Sequence, residues 1–143
     1  MIKKLASYIK DYKKETILTP IFVIFEVIME IVIPYLMAKI IDVGIQNNDV
    51  KYILEIGVFL IVSAILSLAF GMLSGRFAAK ASSGYAKNLR KAMFDKIQTY
   101  AFENIDKFST SSLITRLTTD VTNVQHAFQM IIRILVRGPI MMV

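Results

Sequence analysis

Apolar positions fall into two long blocks and one shorter one. The first, ILTPIFVIFEVIMEIVIPYLMAKII (17–41), runs for about 25 residues with Glu26, Glu30 and Lys39 as its only charges. At a rise of about 1.5 Å per residue it crosses a hydrocarbon core of about 30 Å with some tilt. Pro20 falls in the first turn, where its missing N–H does no harm, and Pro34, deep in the run, predicts a kink. The second block starts near Tyr52 and stays apolar to Gly75. Between the two, DVGIQNNDVK (42–51) is a Gly/Asn/Asp turn with no room for a folded domain.

No Pro or Gly pair stops the second block. Phe77, Tyr85, Leu89, Met93, Phe94 and Ile97 keep a helical spacing with charges between them. A helix from Tyr52 to about Glu103 would be about 75 Å long, twice what a bilayer needs, so 76–107 reads as an extension beyond the membrane. Small residues recur at every fourth position along it: Ser63, Ser67, Gly71, Gly75, Ala79 and Ser83. Such a row admits a close helix neighbour, with Ser67, Gly71 and Gly75 as the packing candidates. Four residues overshoot one turn by about 40°, so the row winds round its helix.

Ahead of the first block, Ile2, Leu5, Tyr8, Ile9 and Tyr12 share one helical face and lysines the other. Residues 1–16 therefore read as a basic amphipathic helix lying in the membrane interface. At the other end, 108–127 is polar and helix-like. Ser109, Thr110, Ser111 and Ser112 are N-cap candidates, and Leu113, Leu117, Val121, Val124 and Phe128 form an apolar stripe. Residues 128–143 turn apolar again. Arg133 and Arg137 mark the approach to a third span that Pro139 begins, and the sequence stops before that span is complete. The chain reads as the N-terminal piece of a longer all-α membrane protein.

Composition agrees: 55% of the 143 residues are hydrophobic and the mean hydropathy is +0.56. The net charge of +6 changes the picture only through its distribution. Of 17 Lys and Arg, five lie in the first fourteen residues and eight between Arg76 and Arg116, while only Lys39 and Lys51 fall between. Basic residues gathered on one side of apolar spans give an N-terminus in the cytoplasm, a short outer turn and a long cytoplasmic excursion; they argue against a nucleic-acid role. With no cysteine, thiol chemistry and disulfides are excluded, and the lone His126 has no second histidine to share a metal. No G-x-x-x-x-G-K-[ST] run and no nucleophile–base pair is present, so this stretch does not hydrolyse ATP by itself.

Two carboxylates carry the remaining chemistry. Glu26 and Glu30 in FEVIME are one turn apart on one face inside the first span. Ionisable groups at membrane depth face a bundle interior or a wet cavity and count as candidates for a substrate pathway, here one suited to cations. The plainer expectation is that they pair with polar groups on neighbouring spans that lie outside this stretch of chain.

The motif F-x(4)-L-I-T-R-L-x-x-D-V, following a long extension of a second span, resembles the first intracellular loop of ATP-binding-cassette exporters of the six-span, multidrug-exporter-like type. The preceding basic elbow, the span ending IPYLMAKIIDVGI and the short outer loop are similar to that family as well, and the resemblance covers essentially the whole chain. It implies a coupling helix at Ser111, Ser112, Leu113, Ile114, Thr115 and Arg116 that docks on a nucleotide-binding domain. It also implies ATP and Mg²⁺ bound elsewhere in the parent, a second transporter subunit (the same or a related chain) and a plasma-membrane location. Ser111 stands where the family usually has Gly; a serine can still cap there, so the turn is expected to survive with slightly altered geometry. A two-span sensor or a small scaffold subunit is the alternative; the short outer turn and the lack of sustained heptads in the extension count against a sensor.

Overall fold

A computed structural model describes residues 7–99 and 110–142. Tyr100, Phe108 and Ser109, with the end of the extension and the first N-cap candidate, lie outside the described residues, as do residues 1–6 of the expected elbow. Among the described residues every regular element is helical, so the all-α class holds.

Helix α1 (Lys13–Lys39) passes unbroken through Pro20 and Pro34. It is continued by a π-helical turn, Ile40–Ile45, so the connection is tighter than its Gly/Asn/Asp composition suggests. Asn48 takes a left-handed φ of 52°, which asparagine tolerates better than most residues. The next residue, Asp49, caps helix α2 by accepting a hydrogen bond from the Tyr52 N–H at 3.1 Å. Helix α2 (Val50–Gln98) has 49 residues and is about 74 Å long. It stops a turn earlier than Glu103, with Thr99 turning its hydroxyl back onto the Lys96 carbonyl at 2.7 Å. A short helix α3 (Thr110–Thr115), a π-helical turn (Arg116–Asp120) and helix α4 (Val121–Met141) follow. Both α1 with its π turn and α2 are long and apolar enough to cross a membrane. Leu54, Val58, Phe59, Ile61, Ile65 and Leu68 leave a continuous apolar surface on α2 that water alone does not tolerate.

α1 and α2 pack antiparallel. Phe22 stacks on Phe77 at 5.4 Å, Phe25 lies 5.3 Å from Phe70, and Lys80 pairs with Glu15 at 2.7 Å. That pair lies outside the two spans read from the sequence. Its hydrogen bond holds the Glu15 carboxyl below the usual carboxylate range and the Lys80 ammonium above the usual lysine range.

The close-packed stripe on α2 is Gly71, Ser74, Ala78, Ala81 and Tyr85, stepping alternately by three and four residues; beyond the half-buried Gly71, all are buried. That alternation averages near the helical period and stays on one face, whereas a strict four-residue row drifts off it. So Ala79 and Ser83 are exposed, and a side chain at Gly75 would meet nothing within 4 Å. Gly71 does sit against a neighbour, Glu26.

The described part of 1–16 is a 3₁₀ segment, Ser7–Tyr12, followed by the first turn of α1, and the segment lies along α2. Asn88 donates to the Tyr8 carbonyl at 2.9 Å, and the Tyr12 ring occupies the space a side chain at Gly84 would need. Helix propensity favours alanine over glycine by about 1 kcal/mol, yet overpacking costs about 1–3 kcal/mol. Gly84→Ala is therefore expected to lower the unfolding temperature in the native sequence and to raise it in a Tyr12→Ala background. Equal gains in both backgrounds would show that Tyr12 does not occupy this site.

Candidate functional site

Polar contacts zip α4 antiparallel along α2. Arg90 donates to the Thr122 hydroxyl at 3.1 Å, Gln125 to the Ser83 hydroxyl at 3.3 Å, and Ser82 to the Gln129 amide oxygen at 3.4 Å. Val121 is buried with Tyr85, Ala86 and Leu89, and Phe128 stacks on Tyr85 at 4.7 Å. Val124 leaves the expected apolar stripe and is exposed, because the face in use is Val121, Gln125 and Phe128.

Farther along α4 the zipper reaches α1. Arg137 Nη2 donates to both Glu30 oxygens at 2.9 Å, and Nη1 to Glu26 Oε1 at 3.4 Å. Ser74 on α2 donates to the other Glu26 oxygen at 3.1 Å. Three helices thus meet at one charged cluster. Glu26 has 11% of its side chain exposed, Glu30 31% and Arg137 39%. Both contacts with Glu30 come from the one nitrogen Nη2, a bifurcated, charge-assisted arrangement and not the two-nitrogen fork of the strongest guanidinium–carboxylate pairs.

Glu26 and Glu30 stand about 14 and 20 Å along α1 from Ile17, well inside the apolar run. Arg137 sits beside them, level with Ser74 near the end of the second apolar block, and Pro139 lies inside α4, which begins at Val121. Counted alone, an arginine charge against these apolar helices is costly; paired with two carboxylates it is compensated. Their partner therefore comes from this same chain.

A groove of about 460 Å³ opens between α1 and α2, lined by Glu26, Glu30, Ile33, Ser67, Gly71 and Met72 among others. A side chain at Gly71 would begin 3.2 Å from Glu26 Oε1, so the glycine makes room for this carboxylate. A second groove of about 450 Å³ lies along α4 between His126 and Arg137. Among the described residues no group of His, Cys, Asp or Glu is arranged to hold a metal ion.

The corner 110–120 is the other candidate. Ser111, Ile114, Thr115 and Arg116 are exposed, while Ser112 and Leu113 are half-buried. Its threonines bond backward: Thr115 to the Ser111 carbonyl at 3.0 Å, Thr118 to that of Ile114 at 2.8 Å and Thr122 to that of Thr118 at 2.9 Å. Such back-bonds bend helices, and they accompany the wider π turn at Arg116–Asp120. The threonine-rich composition thus shapes the corner where the chain joins α4. Ile114, 56% exposed, presents an apolar side chain on it.

A model of the ABC transporter transmembrane region matches residues 16–143. An uncharacterised ABC transporter ATP-binding protein of Bacillus subtilis, YfiB, is 38% identical over 140 residues, which is 98% of this chain and 24% of that protein. An ATP-dependent lipid A-core flippase of Albidiferax ferrireducens is 28% identical over 124 residues, 87% of this chain and 21% of its own. A further uncharacterised ABC transporter ATP-binding protein, MT1311 of Mycobacterium tuberculosis, is 24% identical over 143 residues, with 100% and 25% covered. The chain spans about a quarter of the length of these relatives. With two membrane-length helices and a match over nearly every residue, the chain belongs to the ABC transporter transmembrane family.

Proposed function

We propose that this chain supplies the first part of the transmembrane domain of an ATP-driven exporter, contributing both to the substrate pathway and to the contact with a nucleotide-binding domain. The family match over 16–143 is the observation that carries this reading. The names of relatives add to it: a lipid A-core flippase, and a putative export ATP-binding/permease protein of Rickettsia felis that is 23% identical over 147 residues. ATP and Mg²⁺ do not fit this chain's own residues, which include no phosphate-binding loop, so both belong to the ATP-binding part.

In this reading the N-terminus is cytoplasmic, the domain has six spans per subunit, and a second subunit completes the pathway. Ser111, Ser112, Leu113, Ile114, Thr115 and Arg116 dock on the nucleotide-binding domain, and the exposed Ile114 supports that role. Movement of the docked corner passes into α4 at Val121 and into α2 through the Arg90–Thr122 and Ser83–Gln125 contacts. Those same helices carry Arg137 and Ser74, so the corner and the charged cluster are mechanically joined. The docked corner must meet its partner differently in the two transport states, since only differential binding shifts a population.

A photo-crosslinking amino acid at position 114 tests this. It is expected to capture an ATP-binding domain in native membranes, with a yield that changes when a nonhydrolysable ATP analogue is added. Capture of lipid alone, or of no ATP-binding protein, would reject the docking role.

A further inference from the structure

Arg137 belongs to the wall of one groove and reaches both carboxylates of the other. We infer that Arg137 is a specificity-determining residue: it sets the net charge that a ligand meets at Glu26 and Glu30, and so tunes the preference of the pathway for lipophilic organic cations. This rests on the proposed role of that groove in the substrate pathway.

Counted over the cluster, two carboxylates and one guanidinium leave one negative charge. Ser74 adds a hydrogen bond and no charge. The hydroxyl and the guanidinium hold Glu26 from two sides, and both arginine contacts to Glu30 come from a single nitrogen, Nη2. The α1–α2 groove offers apolar walls at Ile33, Leu68 and Met72 beside the carboxylates, which matches a bulky apolar cation. At about 460 Å³ it lies in the range of drug-sized sites. A cation entering there meets a field already reduced by Arg137. Charges a few ångströms apart interact even where water partly screens them, so each unit of net charge should move the preference by about tenfold.

The measurement is binding of tetraphenylphosphonium and of its anionic counterpart tetraphenylborate to the whole transporter in nanodiscs, read as the ratio of the two affinities. Glu30→Gln makes the cluster neutral. Arg137→Gln with Glu30→Gln restores one negative charge without a bridge, and Arg137→Gln alone leaves two. The cation-to-anion ratio is expected to fall about tenfold in Glu30→Gln, to stay within threefold of wild type in the double variant, and to rise about tenfold in Arg137→Gln. If Arg137→Gln alone fails to fold, the first two variants still decide. A double variant as low as Glu30→Gln would overturn the inference, since the bridge and not the net charge would then matter. The triple variant Glu26→Gln, Glu30→Gln, Arg137→Gln separates the two levels of the argument. Unchanged binding of both probes there rejects the pathway reading and this inference together. Altered binding there, with a ratio that ignores net charge in the other variants, rejects the role of Arg137 alone.

Discussion

Tyr85→Ala is expected to cost about 3–5 kcal/mol of stability, the range for removing a large aromatic from a packed site. Tyr85 is 4% exposed, lies in the buried cluster shared by α2 and the start of α4, and stacks on Phe128 at 4.7 Å. Tyr8 and Ile9 of the N-terminal segment pack on the same cluster, so truncation should loosen three pieces of chain at once. Tyr85→Phe keeps the ring and should remain within about 1 kcal/mol of wild type, because the stacked area carries the energy. Thermal unfolding of the purified protein in detergent compares the two. An equal loss in both would place the energy in the hydroxyl and refute the stacking argument.

Replacing both carboxylates, Glu26→Gln with Glu30→Gln, is expected to reduce transport of cationic substrates at least tenfold and also to destabilise the protein. The second effect arises because Arg137 would stay at depth with its charge uncompensated, and breaking a buried pair from one side costs about 3–5 kcal/mol. Arg137 is 39% exposed, so the lower end of that range is the better expectation. Adding Arg137→Gln removes the stranded charge. The triple variant should recover stability to within about 1 kcal/mol of wild type, as neutral replacements of ion clusters commonly do, while transport stays low. Transport assayed in inside-out vesicles, beside unfolding temperature, separates the outcomes. Recovery of transport together with stability would make the cluster a structural clasp and remove it from the pathway.

Both experiments depend on contacts that differ in how far they were legible beforehand. The helical class, the two membrane-length helices and the polar corner after the second were readable directly, because hydropathy and helical period are properties of a single stretch of chain. Glu26 and Glu30 were singled out by the same logic, being charges where none is expected. The row of small residues was half legible. Gly71 serves at a close approach and Gly75 does not, since only the neighbour's path selects which face is used.

The family itself was written in the order and spacing of local features: a basic lead-in, two spans joined by a short turn, a long extension, and the ITRLTTDV corner. What the tertiary structure alone decided is which side chains meet. Arg137 was read as a marker of a membrane edge, and its place against Glu26 and Glu30 requires the register of α4 on α1, which no periodicity within α4 encodes. The same holds for the N-terminal segment. Its amphipathic pattern specifies that one face is buried, but not that Gly84 and Asn88 provide the surface. Local sequence fixes which faces must be covered; the pairing of faces is a joint property of distant segments, selected by packing and charge compensation between them.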